Sequence, residues 1–232
     1  MKIQGSIALV TGANRGLGLA FAQALLARGA NKVYAAARDP KTITLDGVVP
    51  LKLDVTNADD IAAAARAAGD VNLVINNAGI ALAPALLDAD GEDALRRQLE
   101  TNLFGPLAIS RAFAPALAAN GGGALVNMLS ALSWLSLPTT GAYSVSKSAA
   151  WALTNGLRHE LRAQGTHVVG LHAAFIDTEM AAHVSAPKTS AADVARIALD
   201  GVEAGQEEIL IDEVTRQVKG SLSTAKPAYL GA

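Results

Sequence analysis

The feature that most constrains this chain is the alternation of short, unbroken apolar runs with stretches whose apolar residues recur at helical spacing. Residues 7–10 are continuously apolar, end at Thr11-Gly12 and give way to helical spacing over residues 16–28, which reads as strand, glycine turn, helix. The pattern recurs along the chain. Residues 33–37, 49–53, 71–75, 124–128, 168–172 and, more briefly, 208–211 read as further strands. Helical spacing covers residues 57–68 behind an Asn or Thr cap, 92–119, 141–164 with Gly165 as its stop, and 191–203. The 92–119 stretch is expected to bend at Gly105-Pro106 and again near Pro115, because proline brings no backbone donor. Apolar strands joined by helical crossovers form a parallel sheet buried on both faces, and right-handed crossovers leave little besides a doubly wound arrangement. The predicted class is α/β, a single Rossmann-like domain over residues 1–232 with about seven strands and helices on both faces. Residues 220–232 carry little periodicity and are expected to be loose or to dock on a neighbouring subunit.

Composition narrows the function. The chain is 51% hydrophobic but only 4% aromatic and rich in alanine, which suits helices packed closely on a sheet. Its net charge of -2 is scattered, so it lacks the basic surface that nucleic acid requires. With no cysteine, it has neither disulfides nor a thiolate nucleophile. The first apolar run is too short for a secretion signal, and longer ones are cut by Arg66, Asp70 and Arg111, so a cytoplasmic protein with no membrane partner is expected. His159, His167, His172 and His183 show no metal-ligand spacing, and each is read as structural or exposed, with no metal predicted.

Thr11-Gly12-Ala13-Asn14-Arg15-Gly16-Leu17-Gly18 lies where the first strand turns into a helix. Backbone N-H groups and the positive end of the helix dipole there suit a pyrophosphate, and Gly12, Gly16 and Gly18 permit its close approach. The same residues also suit a glycine-rich connection that binds nothing. At the end of the second strand an acid would bind ribose hydroxyls and a base a 2′-phosphate. Arg38 comes first here, and Arg15 within the turn can approach the same phosphate. NADP(H) is therefore favoured, while Asp39 keeps NAD(H) as the lesser possibility. Asp54-Val55 ends the third strand and suits an adenine edge, although Asp54 can equally cap the next turn.

Tyr143 and Lys147 stand at i and i+4 of a helical stretch, one turn apart on one face. A phenol of pKa about 10 must fall by two or three units to exchange protons near neutrality, about 3 to 4 kcal/mol. A neighbouring ammonium and a positive nicotinamide both act in that direction.

The T-G-x-x-x-G-x-G turn, Asn76-Asn77-Ala78-Gly79, and the Tyr143…Lys147 pair preceded by Ser130 and Asn102 together resemble the short-chain dehydrogenase/reductase family from Ile7 to Ile211. That resemblance implies a carbonyl-reductase-like oxidoreductase interconverting an aldehyde or ketone and an alcohol by hydride transfer. It implies Tyr143 as acid and base, Ser130 orienting the substrate oxygen, Lys147 holding the nicotinamide ribose and lowering the tyrosine pKa, and Asn102 holding a relay water. Ser133 and Ser136 are alternatives to Ser130 but stand too close to Tyr143. Asn77, Ala78 and Gly79 would lie beneath the cofactor, and Ile176 and Thr178 would contact it. A homodimer or homotetramer through the two long helical stretches is also implied.

One departure is visible: Ala173-Ala174 replaces the family's Pro-Gly, and loss of the glycine can move the backbone beside the nicotinamide and weaken cofactor binding, with activity expected to be retained. Leu82, Leu132, Trp134, Phe175, Met180 and Val184 are the expected substrate neighbours, on loops at the carboxyl edge of the sheet. Two other readings fit the same scaffold. One is a dinucleotide-binding regulator without turnover; the other is a lyase or dehalogenase, in which the glycine turn is normally disrupted.

Overall fold

In the computed structural model, which describes residues 1–231, each expected strand joins one parallel sheet. The strands are β1 (Ile7–Thr11), β2 (Lys32–Ala37), β3 (Val49–Lys52), β4 (Leu73–Asn76), β5 (Ala124–Met128), β6 (His167–His172) and, past two short strands, β9 (Glu208–Leu210). β7 (Ile176–Asp177) and β8 (Thr189–Ser190) form a separate two-stranded pair above the sheet's carboxyl edge. The sheet order is β3-β2-β1-β4-β5-β6-β9. The chain thus moves outward from β1 to β3, then crosses to the other side of β1 and continues through β4. A crevice opens at that reversal, beyond the carboxyl ends of β1 and β4, where such sheets bind ligands. Pro50 sits in β3, an edge strand that tolerates a missing donor.

Successive side chains of a strand point to opposite faces, and the core divides accordingly. Ala8, Val10, Leu73, Ile75, Val126 and Leu171 pack beneath α1 (Gly16–Ala27) and α6 (Ala191–Glu203). Leu9, Val74, Leu125 and Val168 pack beneath α2 (Ala58–Ala67), α4 (Gly105–Ala119) and α5 (Gly141–Glu160). The cap expected for α2 is Asn57, whose Oδ1 accepts from the N-H groups of Asp59 and Asp60 at 3.0 Å each. Gly165 ends the α5 region in the left-handed conformation, φ +77°.

One expectation changes. The 92–119 stretch is interrupted rather than bent: α3 (Gly91–Leu99) leads into a π-helical turn, Glu100–Phe104, in which Gly105 N-H donates to the Glu100 carbonyl, and α4 follows. Pro115 lies inside α4 without ending it. Before the tail, α7 (Glu213–Ser221) closes the fold, a helix that the sequence pattern does not indicate. Beyond it Pro227 is buried, and Ala228 N-H donates to Ser221 Oγ at 3.0 Å. The expectation for residues 220–232 otherwise concerns exposed residues such as Tyr229 and Leu230, and Ala232 lies outside the described residues. Among the described residues no helix is long and apolar enough to cross a membrane.

Candidate active site

The glycine turn is held by hydrogen bonds that begin in its own first residue. Thr11 Oγ1 accepts from the N-H groups of Asn77 and Ala78, both at 3.0 Å, and Asn77 Nδ2 donates to the Thr11 carbonyl at 2.9 Å. Ala13 N-H donates to Ala36 at 2.9 Å, so the turn is pinned to β2 as well. Gly12 and Gly16 adopt φ +66° and +54°, a region that favours glycine. A Cβ on Gly18 would lie 2.1 Å from the Gly12 carbonyl oxygen and 2.7 Å from Asn77 Nδ2. The start of α1 therefore sits against the turn, its N-terminal backbone facing the crevice beside Asn14 and Leu17. Across that crevice, a Cβ on Gly16 would come within 3.4 Å of Thr178. These backbone groups offer the chemistry that a dinucleotide pyrophosphate needs.

The residues expected to select the cofactor separate. Arg38 is exposed just past β2, whereas Asp39 Oδ1 accepts from Lys41 N-H at 3.0 Å and caps the single turn Pro40–Thr42. Arg15 pairs with Glu179, on the turn Glu179–Ala181 across the crevice, and both side chains are exposed. Asp54 Oδ1 accepts from the N-H and hydroxyl of Thr56, at 2.9 and 2.7 Å, so it caps the turn as one of its two readings required. Val55 is buried against Gly105.

From the cradle the site continues without a gap toward the putting-together of the reactive groups. A Cβ on Gly12 would touch Ala78 at 3.1 Å, and one on Gly79 would lie 3.2 Å from Asn102 Oδ1 and 3.9 Å from Lys147 Nζ. Lys147 donates to the Met128 carbonyl at 2.8 Å and stands 5.6 Å from the centre of the Tyr143 ring. Ser130, two residues past β5, faces the Tyr143 hydroxyl and accepts from Leu132 N-H at 3.1 Å. Asn102, Ser130, Tyr143 and Lys147 are therefore brought to one place, next to the nucleotide crevice.

Asn102 owes its setting to the π-helical turn. Its side chain accepts from Ile80 N-H and donates to the Ile80 carbonyl, both at 2.9 Å, and donates to Ser146 Oγ at 3.0 Å. Ser146 in turn donates to the Tyr143 carbonyl at 2.7 Å. Pro106, four residues on, has no N-H, so the Asn102 carbonyl lacks the donor a regular helix would supply. Asn102, Pro106, Lys147, Asn76 and Asn127 line a buried cavity of about 10 Å³, room for about one water molecule.

Burial acts on both titrating groups. It pushes the Tyr143 phenol up to about 12, with Ser130 pulling the other way, and pushes the Lys147 ammonium down to about 8. Without nucleotide, burial outweighs the pull of Ser130 on the phenol, and the Lys147 ammonium is engaged with the Met128 carbonyl.

Ala173-Ala174 is accommodated. No described residue other than glycine has a positive φ, Ala173 accepts from Ala131 N-H at 3.0 Å, and Ala174 N-H donates to Asp212 Oδ2 at 2.8 Å. The backbone beside the crevice is held by an anchor that proline-glycine spacing did not suggest. Among the expected substrate neighbours, Leu82, Leu132, Phe175 and Val184 are partly buried and Met180 is exposed. Trp134 is a correction. Its ring stacks on His172, with centroids 4.0 Å apart, and meets Trp151 edge-on, so it supports the loop from below. Sequence reasoning missed Ser146, whose signal was its place three residues after Tyr143, and Asp212, which carried none.

The family follows from comparison with known proteins. Residues 6–189 match the family model described as short chain dehydrogenase. The chain is 36% identical over 191 residues to galactitol 2-dehydrogenase (L-tagatose-forming) of Cereibacter sphaeroides, covering 77% of this chain and 74% of that protein. It is 34% identical to D-erythrulose reductase of Gallus gallus, covering 86% and 83%. Other curated relatives are longer, and the match spans as little as 38% of one of them. A short chain dehydrogenase from Burkholderia cenocepacia J2315, solved in complex with NADP, superposes with a TM-score of 0.93 at 40% identity, covering 97% of this chain and 95% of that one. The chain belongs to the short-chain dehydrogenase/reductase family of oxidoreductases.

Proposed function

We propose that the protein is an NADP(H)-preferring carbonyl reductase that interconverts a modest aldehyde or ketone and its alcohol. The observation that carries this reading is the unbroken path from the glycine cradle through Gly79 to Lys147 and Tyr143. A bound nicotinamide supplies or accepts the hydride. Tyr143 keeps its proton on a phenol held near 12, ready to donate it to the carbonyl oxygen during reduction. Ser130 donates a hydrogen bond to that oxygen and orients it. Lys147 binds the ribose hydroxyls and, charged, favours phenolate when the reaction runs toward oxidation. The water-sized cavity joins Lys147 to Asn102, giving the proton a route through the Asn102 carbonyl side of the site.

Arg38, exposed while Asp39 is committed to its cap, supports the preference for a 2′-phosphate. NAD(H) remains the lesser cofactor. Sugar-like alcohols and ketones belong among the candidates, given the names of the galactitol and erythrulose relatives. Phe104, exposed on the π-helical turn, and Val145, exposed on α5, favour association into a homodimer or homotetramer. The test is to follow nicotinamide absorbance with NADPH and NADH against a panel of aldehydes, ketones and polyols. NADPH-dependent turnover of at least one carbonyl is expected; tight NADPH binding with no turnover across the panel would instead favour the regulatory reading.

A further inference from the structure

Behind Ser130 lies a buried polar and aromatic cluster that the proposed chemistry does not use. His172, at the end of β6, is fully buried, and its Nδ1 lies 3.1 Å from the Ser130 carbonyl oxygen. That oxygen can only accept, so Nδ1 carries the proton. The opposite nitrogen, Nε2, has no hydrogen-bond partner among the described residues and faces Glu208 Oε1 at 3.4 Å. Glu208 is already engaged, pairing with Lys219 and accepting from Trp151 Nε1 at 3.3 Å. The ring lies nearly parallel to Trp134, at 15°, and Trp134 follows Ser130 in the same loop. Burial, with Lys219, Lys147 and Arg158 nearby, pushes the imidazole down to about 4, so it is neutral and holds one proton.

The geometry points to His172 as a positioning residue for the reaction: its Nδ1-H fixes the Ser130 backbone, and its ring fixes the loop through Trp134, so that the Ser130 hydroxyl stays aimed at the substrate oxygen. A buried nitrogen left unpartnered is an unusual feature of a folded protein. Here it accompanies a tautomer that the Ser130 carbonyl alone dictates. Small errors in the placement of a substrate-orienting group are amplified in rate, so the effect falls on turnover rather than on nucleotide affinity. The inference rests on the reading of Ser130 as the hydroxyl that orients substrate.

Two measurements test it. Nitrogen NMR of the intact protein, which has four histidines, should show one buried ring in the Nδ1-H form across neutral pH; an Nε2-H form for His172 overturns the inference without any variant. In kinetics, His172→Phe keeps a stacking ring but removes the donor, and is expected to lower kcat by about 10- to 100-fold with NADPH affinity unchanged. His172→Asn restores a donor without the stacking ring and is expected to lose less than His172→Phe. In a Ser130→Ala background, His172→Phe should add little. Full activity in His172→Phe, equal losses in both His172 variants, or a full additional loss in the Ser130→Ala background each overturn the role of His172. A Ser130→Ala enzyme with undiminished rate overturns the reading of Ser130 itself, and the inference with it.

Discussion

At the scale of single residues, the site is governed by burial set against a few specific contacts. Lys147 is the clearest case: its ammonium sits among Asn102, Asn76 and Asn127, donates to Met128, and is pushed down to about 8. A base whose folded pKa lies below its unfolded value of about 10.4 binds fewer protons folded than unfolded between those limits, so stability rises with pH there. Below about 8 both states are protonated and the dependence vanishes. Tyr143 has the opposite sign, since its phenol is raised to about 12: its contribution is intact below the unfolded value of about 10 and is lost above it. Denaturant titrations of the cofactor-free protein should therefore show stability rising from about pH 8 to about pH 10, and Lys147→Met should flatten that rise. A second residue-scale prediction concerns Arg38. Replacing it with Asp should weaken NADPH binding by about 10- to 100-fold, the value of a lost charge-assisted contact, while NADH binding holds or improves. Fluorescence titration with each nucleotide checks it.

At the scale of elements, the contacts that matter join pieces distant in the chain. Asp212 accepts from Thr215 N-H and hydroxyl, at 2.8 and 2.7 Å, capping α7, and with its other oxygen accepts from Ala174 N-H beside the crevice. Asp212→Ala should cost about 1 to 2 kcal/mol of stability through the lost cap. It should also weaken cofactor binding, whereas loss of a remote cap alone would leave affinity unchanged; thermal melts and nucleotide titration separate the two outcomes.

These elements also mark how much the sequence made legible. The seven sheet strands could be read because each is a short, mostly apolar run, and the glycine turn because Gly12, Gly16 and Gly18 stand where a strand meets a helix. The α7 helix was not legible: over Glu213–Ser221 only Val214 and Val218 are large and apolar, and Val214 is exposed. The π-helical turn was not legible, and only a bend at Gly105-Pro106 was expected, because proline shows where a donor is missing but not how the preceding turn adjusts. Trp134 was misread for a related reason. An apolar residue in a loop at the carboxyl edge looks alike from sequence whether it faces substrate or, as here, a buried histidine.

At the scale of the whole molecule, the order of the sheet brings four segments to one crevice: the turn after β1, the Asn76–Gly79 segment after β4, the loop after β5 and the α5 helix that follows it. None of the reactive side chains is near another in a way local sequence alone dictates, apart from Tyr143 and Lys147. The parallel crossovers do the gathering, and in the proposed mechanism the chemistry depends on the proton of the Tyr143 phenol. Tyr143→Phe isolates that dependence, because it removes one hydroxyl and leaves the ring. The variant should bind NADPH within about two-fold of the parent while turnover of the best carbonyl substrate falls by at least about 100-fold, in the range expected for loss of a general acid. Turnover that survives undiminished would contradict the assignment of the proton to Tyr143.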